Sequence, residues 1–245
     1  VGFIHGVMNT DNMALCGETI DYGPCAFMDV FAPDTVFSSI DHKGRYAYSN
    51  QPLIAQWNLA RLAETLLPLL DDEREDAISM AENSLNAFEQ VYKAKWLSMM
   101  GSKLGFAEAK KEDENLITGL LDWMHANEAD FTNTFRNLSQ EEIPDGELFA
   151  TESFQTWHTR WQARLEEEVQ DFKSSLALMQ SVNPAVIPRN HKVEEALQAG
   201  EQGDLEPFND LLKALEAPYE DGEHLRTYQT PPKPGEKVLQ TFCGT

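Results

Sequence analysis

The sequence predicts a mainly α-helical protein with a small β-hairpin unit near its first residue. Residues 1–30 combine short apolar segments with a glycine-containing turn, a pattern typical of strands joined as a hairpin. From Pro52 onward, apolar residues recur at the spacing of helix faces. The 42% apolar content supports a packed core, and 245 residues suffice for one large domain or two small ones.

The hairpin is predicted from two short strand-like segments on either side of a turn. These segments are residues 13–15 and 19–20, and the Cys-Gly-Glu sequence at 16–18 is typical of the turn between them. This pairing places Asn12 at the entrance of the first strand and Asp21 at the exit of the second.

A long loop over 24–52, containing several prolines, separates the hairpin from the helical part. Pro52 suits the first turn of the first helix, where a backbone N–H has no helical acceptor. Asp204 suits an N-cap for the last helix and Pro218 a stop for it. Residues 219–245 are expected to form an extended tail. Apolar spacing predicts helices that begin near Pro52 and then cover 73–103, 107–127, 130–137, 152–181, 191–200 and 204–216.

The charge balance excludes several classes of partner. The net charge is −22, from 19 basic and 41 acidic residues. Such a surface repels nucleic-acid phosphates and anionic lipids, so neither a nucleic acid nor a membrane is expected as a partner. No apolar run is long enough to span a bilayer, and three cysteines are too few for a disulfide scaffold. We therefore expect a soluble protein of a reducing compartment.

Two short segments, HGVMNTDNM and DYGP, resemble the catalytic and metal-binding loops of kinases. Kinase loops place an Asp soon after a His, an Asn five residues after that Asp, and then a D-F-G segment. Asn12 stands at the Asn position, and Asp21 begins the counterpart of D-F-G. The position of the kinase base holds Val7, which cannot accept a proton. Asp11 stands instead directly before Asn12.

These side chains have the chemistry of a phosphate-transfer site. The amide oxygen of Asn12 and the carboxylate of Asp21 are the hard oxygen ligands that Mg²⁺ prefers. Such a metal neutralises charge on a bound triphosphate, and Asp11 can accept the proton of an attacking hydroxyl. His5 is expected to hydrogen-bond the loop backbone rather than to react. Both segments are also good turn sequences, so a structural role stays open.

A hairpin unit followed by helices matches the C-terminal lobe of an atypical protein-kinase-like (pseudokinase) fold with a helical extension. The glycine-rich strand pair and phosphate-binding lysine of an N-terminal lobe have no counterpart here, and the chain begins at Val1 without Met, so we expect a fragment. Residues 1–51 are expected to form the catalytic-loop and metal-site hairpin with an activation-loop-like segment. A helical lobe is expected over 52–218 and an extended tail over 219–245.

Several separated blocks carry a resemblance to a known family. They are HGVMNTDNM followed by TIDYGPCAFMD, then GRYAYSNQPLIAQWNLARLAETLLPLL, NPAVIPRN and the terminal FCGT. In this order they resemble the selenoprotein O or YdiU family. The resemblance runs over the whole chain, which corresponds to the C-terminal half of a family member.

The resemblance implies a fold and an activity. Family members are protein adenylyltransferases with a pseudokinase-like fold, which bind ATP in an inverted orientation and transfer AMP to protein hydroxyls. UMP transfer has also been attributed to bacterial members. By resemblance, Asp11 is the base, Asn12 and Asp21 are ligands of Mg²⁺ or Mn²⁺, and Asp21 lies near the nucleotide phosphates. The family occurs in the bacterial cytoplasm, the expected location here, and in mitochondria, the expected location in a eukaryote.

Two departures from the family pattern qualify what the resemblance implies. The nucleotide-binding residues of the N-terminal lobe are absent, so this chain alone is expected to be inactive and to need that lobe as its partner. The family also often pairs a C-terminal Cys with an activation-loop Cys. Cys243 matches the terminal position, but Phe37 lies near the expected place of its partner. A disulfide between Cys25 and Cys243 is therefore a hypothesis, and three free thiols are the default.

The sequence as a whole predicts a metal-dependent protein nucleotidyltransferase that moves AMP from ATP to Ser, Thr or Tyr hydroxyls and releases pyrophosphate. Two alternatives stay open. One is kinase-type transfer of the γ-phosphate with Asp11 as the base. The other is a non-catalytic nucleotide-binding or interaction module.

Overall fold

The protein is mainly helical, with nine α-helices and one two-stranded sheet within residues 1–242, the part that the computed structural model describes. The predicted fold class is confirmed at this level. No helix in this part is long and apolar enough to cross a membrane. The helices are α1 (Gln51–Leu70), α2 (Arg74–Lys103), α3 (Glu114–Ala126), α4 (Phe131–Leu138), α5 (Glu152–Glu166), α6 (Phe172–Val182), α7 (Asn190–Glu201), α8 (Glu206–Leu215) and α9 (Arg226–Gln229).

The sheet pairs β1 (Phe3–Ile4) with β2 (Ala26–Phe27). The sequence had assigned the second strand to the long loop over 24–52, and that assignment is wrong at this point. The two phenylalanine rings of the sheet meet edge to face, with centroids 5.4 Å apart. This contact across two short strands depends on pairing partners distant in sequence, which a local pattern does not reveal.

The predicted hairpin is present in a reduced form. Met13 and Thr19 form an isolated antiparallel bridge, and the Gly17 N–H closes the turn on the Ala14 carbonyl at 3.0 Å. Gly17 has φ +79°, a conformation that glycine adopts without strain. The two segments therefore meet in an antiparallel bridge, although they do not extend into a ladder and the turn closes at residues 14–17.

Two of the predicted helices and the predicted tail differ from the structure. The helix predicted from residue 107 begins at Glu114, after a 3₁₀ turn over Lys111–Asp113. The Asp113 carboxylate caps the start of that turn by accepting a hydrogen bond from the Lys110 N–H at 2.7 Å. The helix predicted over 152–181 is two helices, since Asp171 caps the start of α6 through the Ser174 N–H at 2.9 Å. The predicted extended tail contains α9.

The described chain divides into two compact units. One contains residues 1–3, 26–32 and 97–239, and the other contains residues 4–25, 33–96 and the stretch that begins at 240. The division into 1–51, 52–218 and 219–245 that the sequence suggested stays a prediction.

In the first unit, two indole rings join α5 to α3 and to the segment that follows α2. The Trp157 indole N–H donates to the Leu116 carbonyl at 2.8 Å, and that of Trp161 donates to the Leu104 carbonyl at 2.9 Å. The two rings stack with centroids 5.8 Å apart. Because each buried indole N–H has an acceptor, these large side chains pack in the core without an unsatisfied donor.

Lys103 at the end of α2 is a buried cation of the same unit. Its Nζ donates to the Asn183 Oδ1 at 2.7 Å and lies 4.3 Å from the ring centroid of Phe135. Its side chain has no carboxylate partner among residues 1–242. Burial lowers the pKa of Lys103 from 10.5 to about 7.

Replacing Lys103 with Met is expected to reduce the rise in stability with pH above neutrality. Between the two pKa values the unfolded chain binds the proton and the folded protein does not, so wild-type stability increases with pH. The increase in stability is at most about 1.4 kcal/mol per pH unit for one proton. The facing ring reduces it, because the ring favours the charged form of Lys103. Urea unfolding of the full-length protein at about pH 7 and pH 9 measures it. Equal pH slopes for variant and wild type would contradict the assignment.

The second unit contains the loops around the hairpin, α1 and the first part of α2. Ile54 and Asn58 are the buried residues of α1, whereas the apolar Leu53 and Trp57 are exposed. Gln56 on α1 donates from its Nε2 to the Leu85 carbonyl of α2 at 3.2 Å. The buried side of α1 therefore includes a polar residue, and this side contacts the candidate site.

Candidate active site

The two segments singled out in the sequence lie in the same compact unit and are held together by the backbone. Gly6 has φ +85°, and a Cβ atom at this position would lie 2.9 Å from the Pro24 carbonyl oxygen. Only glycine therefore allows the chain before the catalytic-type loop to pass so close to the end of DYGP. The bridge between Met13 and Thr19 joins the end of HGVMNTDNM to the chain two residues before DYGP.

Asp11 and Asn12 lie on a short 3₁₀ turn, Thr10–Asn12, at the tip of the loop. The Asn12 N–H donates to the Asn9 carbonyl at 3.0 Å, and its side-chain Nδ2 donates to the Val7 carbonyl at 3.0 Å. The amide nitrogen is thus used within the loop, and the amide oxygen makes no hydrogen bond among residues 1–242. Asp11 is exposed to solvent, as a base that meets an incoming hydroxyl requires.

Asp21 is partly buried at the other side of the hairpin. Its Oδ1 accepts a hydrogen bond from the Gly23 N–H at 2.8 Å, which forms the Asx-type turn typical of D-x-G sequences. Burial raises the pKa of the Cys25 thiol, and the negative charge of Asp21 raises it further. The second carboxylate oxygen of Asp21 has no hydrogen-bond partner among residues 1–242.

His5 has the structural role that the sequence analysis favoured. It is buried, and its Nδ1 accepts a hydrogen bond from the Val7 N–H at 3.3 Å. Burial lowers the pKa of His5 more than the negative charge of Asp21 raises it. The ring is therefore neutral at physiological pH and shapes the loop by accepting a backbone proton. Val7, at the position of the kinase base, takes part through its backbone groups.

Sequence reasoning missed three side chains that anchor this loop. The Gln51 Oε1 accepts from the His5 N–H at 3.0 Å, and the Asn58 Nδ2 donates to the Met8 carbonyl at 2.9 Å. The Tyr46 hydroxyl donates to the Asn9 Oδ1 at 2.6 Å. One signal was available for the α1 pair, since polar residues seven apart lie on one helix face, and Asn58 interrupts a face that also carries buried Ile54.

Asn58 contacts both ends of the turn that carries Asp11. Its Nδ2 also lies against the sulfur of Met13, five residues beyond Met8. A single amide on a rigid helix thus fixes the entry and the exit of the turn. Asn58 is in this sense a positioning residue, which acts through the backbone around the proposed base.

Replacing Asn58 with Leu is expected to lower kcat for group transfer by about 10- to 100-fold, because loss of the anchor lets the turn move relative to the bound nucleotide. The KM for the nucleotide should change little. Steady-state kinetics on the full-length protein separates the two parameters. Gln56→Ala is the matched control, because Gln56 lies on the same helix but bonds to α2. Equal losses in both variants would reduce Asn58 to a general packing role.

The oxygen atoms at this site fit a hard divalent cation. Asn12 supplies an amide oxygen and Asp21 a carboxylate oxygen, and Mg²⁺ is usually held by one or two such protein atoms with water and phosphate oxygens. No cluster of three or more His, Cys, Asp or Glu side chains suited to a metal is found among residues 1–242.

The structure describes two of the three cysteines. Cys16 is an exposed free thiol and Cys25 a half-buried one, and burial raises the pKa of Cys25. Cys243 lies outside the described residues. Thr241, two positions before it, donates from Oγ1 to the Pro24 carbonyl at 2.5 Å and from its backbone N–H to the Phe37 carbonyl at 2.8 Å.

Comparison with known proteins agrees with these features. A family model described as "Protein adenylyltransferase SelO" matches residues 1–216. Proteins named "Protein nucleotidyltransferase YdiU" are similar over all of this chain. The one from Alcanivorax borkumensis is 58% identical over 246 residues, which are 51% of its length. Those from Nitrosococcus oceani and Pelagibacter ubique are 56% and 52% identical, over 50% and 51% of their lengths.

The chain spans about half the length of the curated relatives it matches. The family match covers most of its residues, including both segments of the candidate site and the anchors on α1. The chain therefore belongs to the SelO family of protein adenylyltransferases.

Proposed function

We propose that this chain is the catalytic-loop half of a metal-dependent nucleotidyltransferase, which moves AMP from ATP to Ser, Thr or Tyr hydroxyls of proteins. The observation that carries the proposal is the position of Asp11. It is exposed on a turn next to Asn12, whereas Val7 at the kinase base position contributes only backbone hydrogen bonds. A base that stands away from the kinase position is consistent with reaction at the α-phosphate of ATP instead of the γ-phosphate. UMP transfer from UTP is the corresponding reaction with another nucleotide.

In this proposal each side chain has a defined task. Asp11 accepts the proton of the protein hydroxyl as the oxygen forms a bond to the α-phosphorus, and the bond to the pyrophosphate oxygen breaks. Asn12 and Asp21 hold Mg²⁺ or Mn²⁺, and Asp21 lies near the nucleotide phosphates. The metal, when bound, neutralises charge on the phosphates. Asn58, Gln51 and Tyr46 keep the loop in place during the reaction.

The finer fold assignment belongs to the same proposal. The two-stranded sheet, the catalytic-type loop and the helices correspond to the C-terminal lobe of a pseudokinase fold with a helical extension. The other half of the protein then supplies the groups that bind the nucleotide phosphates, and this chain alone is inactive. ATP and a protein substrate are the partners, and the bacterial cytoplasm is the proposed location.

A disulfide between Cys25 and Cys243 stays part of the proposal. Its support is indirect: Thr241, two residues before Cys243, donates to the carbonyl of Pro24, the residue before Cys25. Alkylation of the full-length protein under non-reducing conditions, followed by mass mapping, tests the bridge. Full alkylation of all three cysteines would exclude it.

The function is tested with the full-length protein, Mg²⁺ or Mn²⁺, and ATP labelled at either the α- or the γ-phosphate. Label in protein from α-labelled ATP alone, lost in Asp11→Asn while nucleotide binding persists, is the expected result. Label from γ-labelled ATP alone would identify a kinase with a displaced base. Absence of label from both, with an accepted protein substrate present, would favour a non-catalytic binding module.

A further inference from the structure

Two arginines and a tryptophan form an exposed patch in the compact unit that contains the candidate site. The Cζ atom of Arg45 lies 4.8 Å from the ring centroid of Trp57, and that of Arg61 lies 5.2 Å from it. Trp57 is 43% exposed although it lies on α1. Cations near one aromatic ring are held by the ring's quadrupole, so the patch is a preformed cluster of positive charge.

This patch differs in charge from the chain around it. The protein carries a net charge of −22, yet residues 42–61 contain Lys43, Arg45 and Arg61 and neither Asp nor Glu. Within the described part of the chain, Arg45 forms no ion pair. Arg61 contacts Glu64 at 2.7 Å, but both side chains of that pair are exposed, and such pairs are weak. The guanidinium groups are thus available to an incoming anion.

The patch borders the turn that carries the proposed base. Arg61 and Thr10, the residue before Asp11, both line a cavity of about 370 Å³. The next residue after Arg45 is Tyr46, whose hydroxyl holds Asn9 of the same loop. A molecule that contacts the two arginines therefore lies next to the loop that carries Asp11.

The cavity has the composition of a site for a short peptide segment. Its walls combine apolar and hydroxyl-bearing side chains. Asn58 also lines it, and the Asn58 Oδ1 is buried without a hydrogen-bond partner in residues 1–242. The remaining lining residues are Met13, Ala14, Leu15, Leu59, Leu62 and Thr65.

We infer that Arg45, Trp57, Arg61 and the adjoining cavity form the docking site of the protein substrate, and that this site selects acidic residues near the acceptor hydroxyl. The inference rests on the proposed function, because the protein hydroxyl that gives its proton to Asp11 has to approach on the side of the loop where Asp11 lies. Guanidinium groups bind carboxylates with paired hydrogen bonds. Elsewhere the net negative charge of the protein repels an acidic partner, so the patch also determines where that partner approaches.

Peptide binding tests the docking site separately from catalysis. Three fluorescein-labelled peptides carry one Tyr flanked on both sides by three Glu, three Gln or three Lys, and anisotropy with the full-length protein gives each Kd without ATP. The Glu peptide is expected to bind about tenfold more tightly than the Gln peptide at low salt, and less so as salt is raised. Arg45→Gln combined with Arg61→Gln should remove this preference. Lys43→Gln, on the same loop but without a ring contact, should keep it.

Transfer kinetics with α-labelled ATP then connects docking to the reaction. The double variant should raise KM for the Glu peptide and leave KM for ATP unchanged. A raised KM for ATP instead would assign the patch to nucleotide phosphate, and a lowered Tm would assign it to packing against the other half of the protein. Either result, or equal Kd values for the three peptides, overturns the docking site. Selective binding without transfer would keep the docking site and reject the proposed function.

Discussion

Asp21→Asn is expected to reduce AMP transfer by the full-length protein by at least about 10³-fold, the scale on which single groups stabilise a transition state electrostatically. The substitution removes the negative charge that holds the cation and keeps the shape of the side chain. Its Oδ1 can still accept from the Gly23 N–H, so the turn after it should persist. Label from α-labelled ATP, followed over time at several Mn²⁺ concentrations, measures the loss.

A second readout of Asp21→Asn reports on the site without activity. The charge of Asp21 raises the pKa of Cys25, so its removal should lower that pKa and speed alkylation of Cys25 at about pH 8. Asp34→Asn is the matched control, since Asp34 is an exposed aspartate of the same compact unit. A variant that keeps a tenth of the wild-type rate, yet shows the faster alkylation, would reject Asp21 as a metal ligand.

The sequence predicted helices where the signal for them is local. Pro52 in the first turn and the apolar spacing after it locate α1, and the predicted range 73–103 differs from α2 by one residue at its start. The errors arise where a single side chain decides a boundary, as Asp171 does between α5 and α6. The buried face of α1 was not predicted, because burial there depends on the loop that packs against Asn58.

In the candidate site, too, the sequence revealed the residues that lie close together in the chain and missed those that lie far apart. Asp11, Asn12 and Asp21 were found because the motif occupies 17 residues of sequence, from His5 to Asp21. Tyr46 and Asn58 were missed because they contact the loop across 37 and 50 residues, and no periodicity encodes such pairs. The roles of the three motif residues stay predictions, whereas the anchors are observed contacts without a tested role.

A buried arginine connects three segments that lie far apart in the sequence. Arg189, 1% exposed, donates from Nη1 to the Asp29 Oδ1 at 2.5 Å and to the Asp130 Oδ2 at 2.8 Å. Asp130 also caps α4 through the Asn133 N–H at 2.7 Å. One guanidinium therefore joins the segment after β2, the start of α4 and the start of α7, all within one compact unit.

Arg189→Met is expected to destabilise this unit by about 3–5 kcal/mol, the scale found when one partner of a buried ion pair is removed. The loss is large because the carboxylates of Asp29 and Asp130 would lose their cation while they stay in the protein interior. Urea unfolding of the full-length protein, with hydrogen exchange of the α4 amides, measures the loss and locates it. Arg160→Met, which alters an exposed arginine of the same unit, should stay within about 0.5 kcal/mol of wild type.

The pH dependence of Arg189→Met separates the loss of charge pairing from the loss of packing. Burial raises the pKa of Asp29 even with Arg189 present, and Arg189 opposes that rise. Without the cation, the pKa of Asp29 rises further above its value in the unfolded chain. The folded variant then binds more protons than the unfolded one, so its stability falls as pH rises. The deficit relative to wild type should therefore be smaller at about pH 5 than at pH 7. A deficit independent of pH would mean that Arg189 stabilises the unit by filling space.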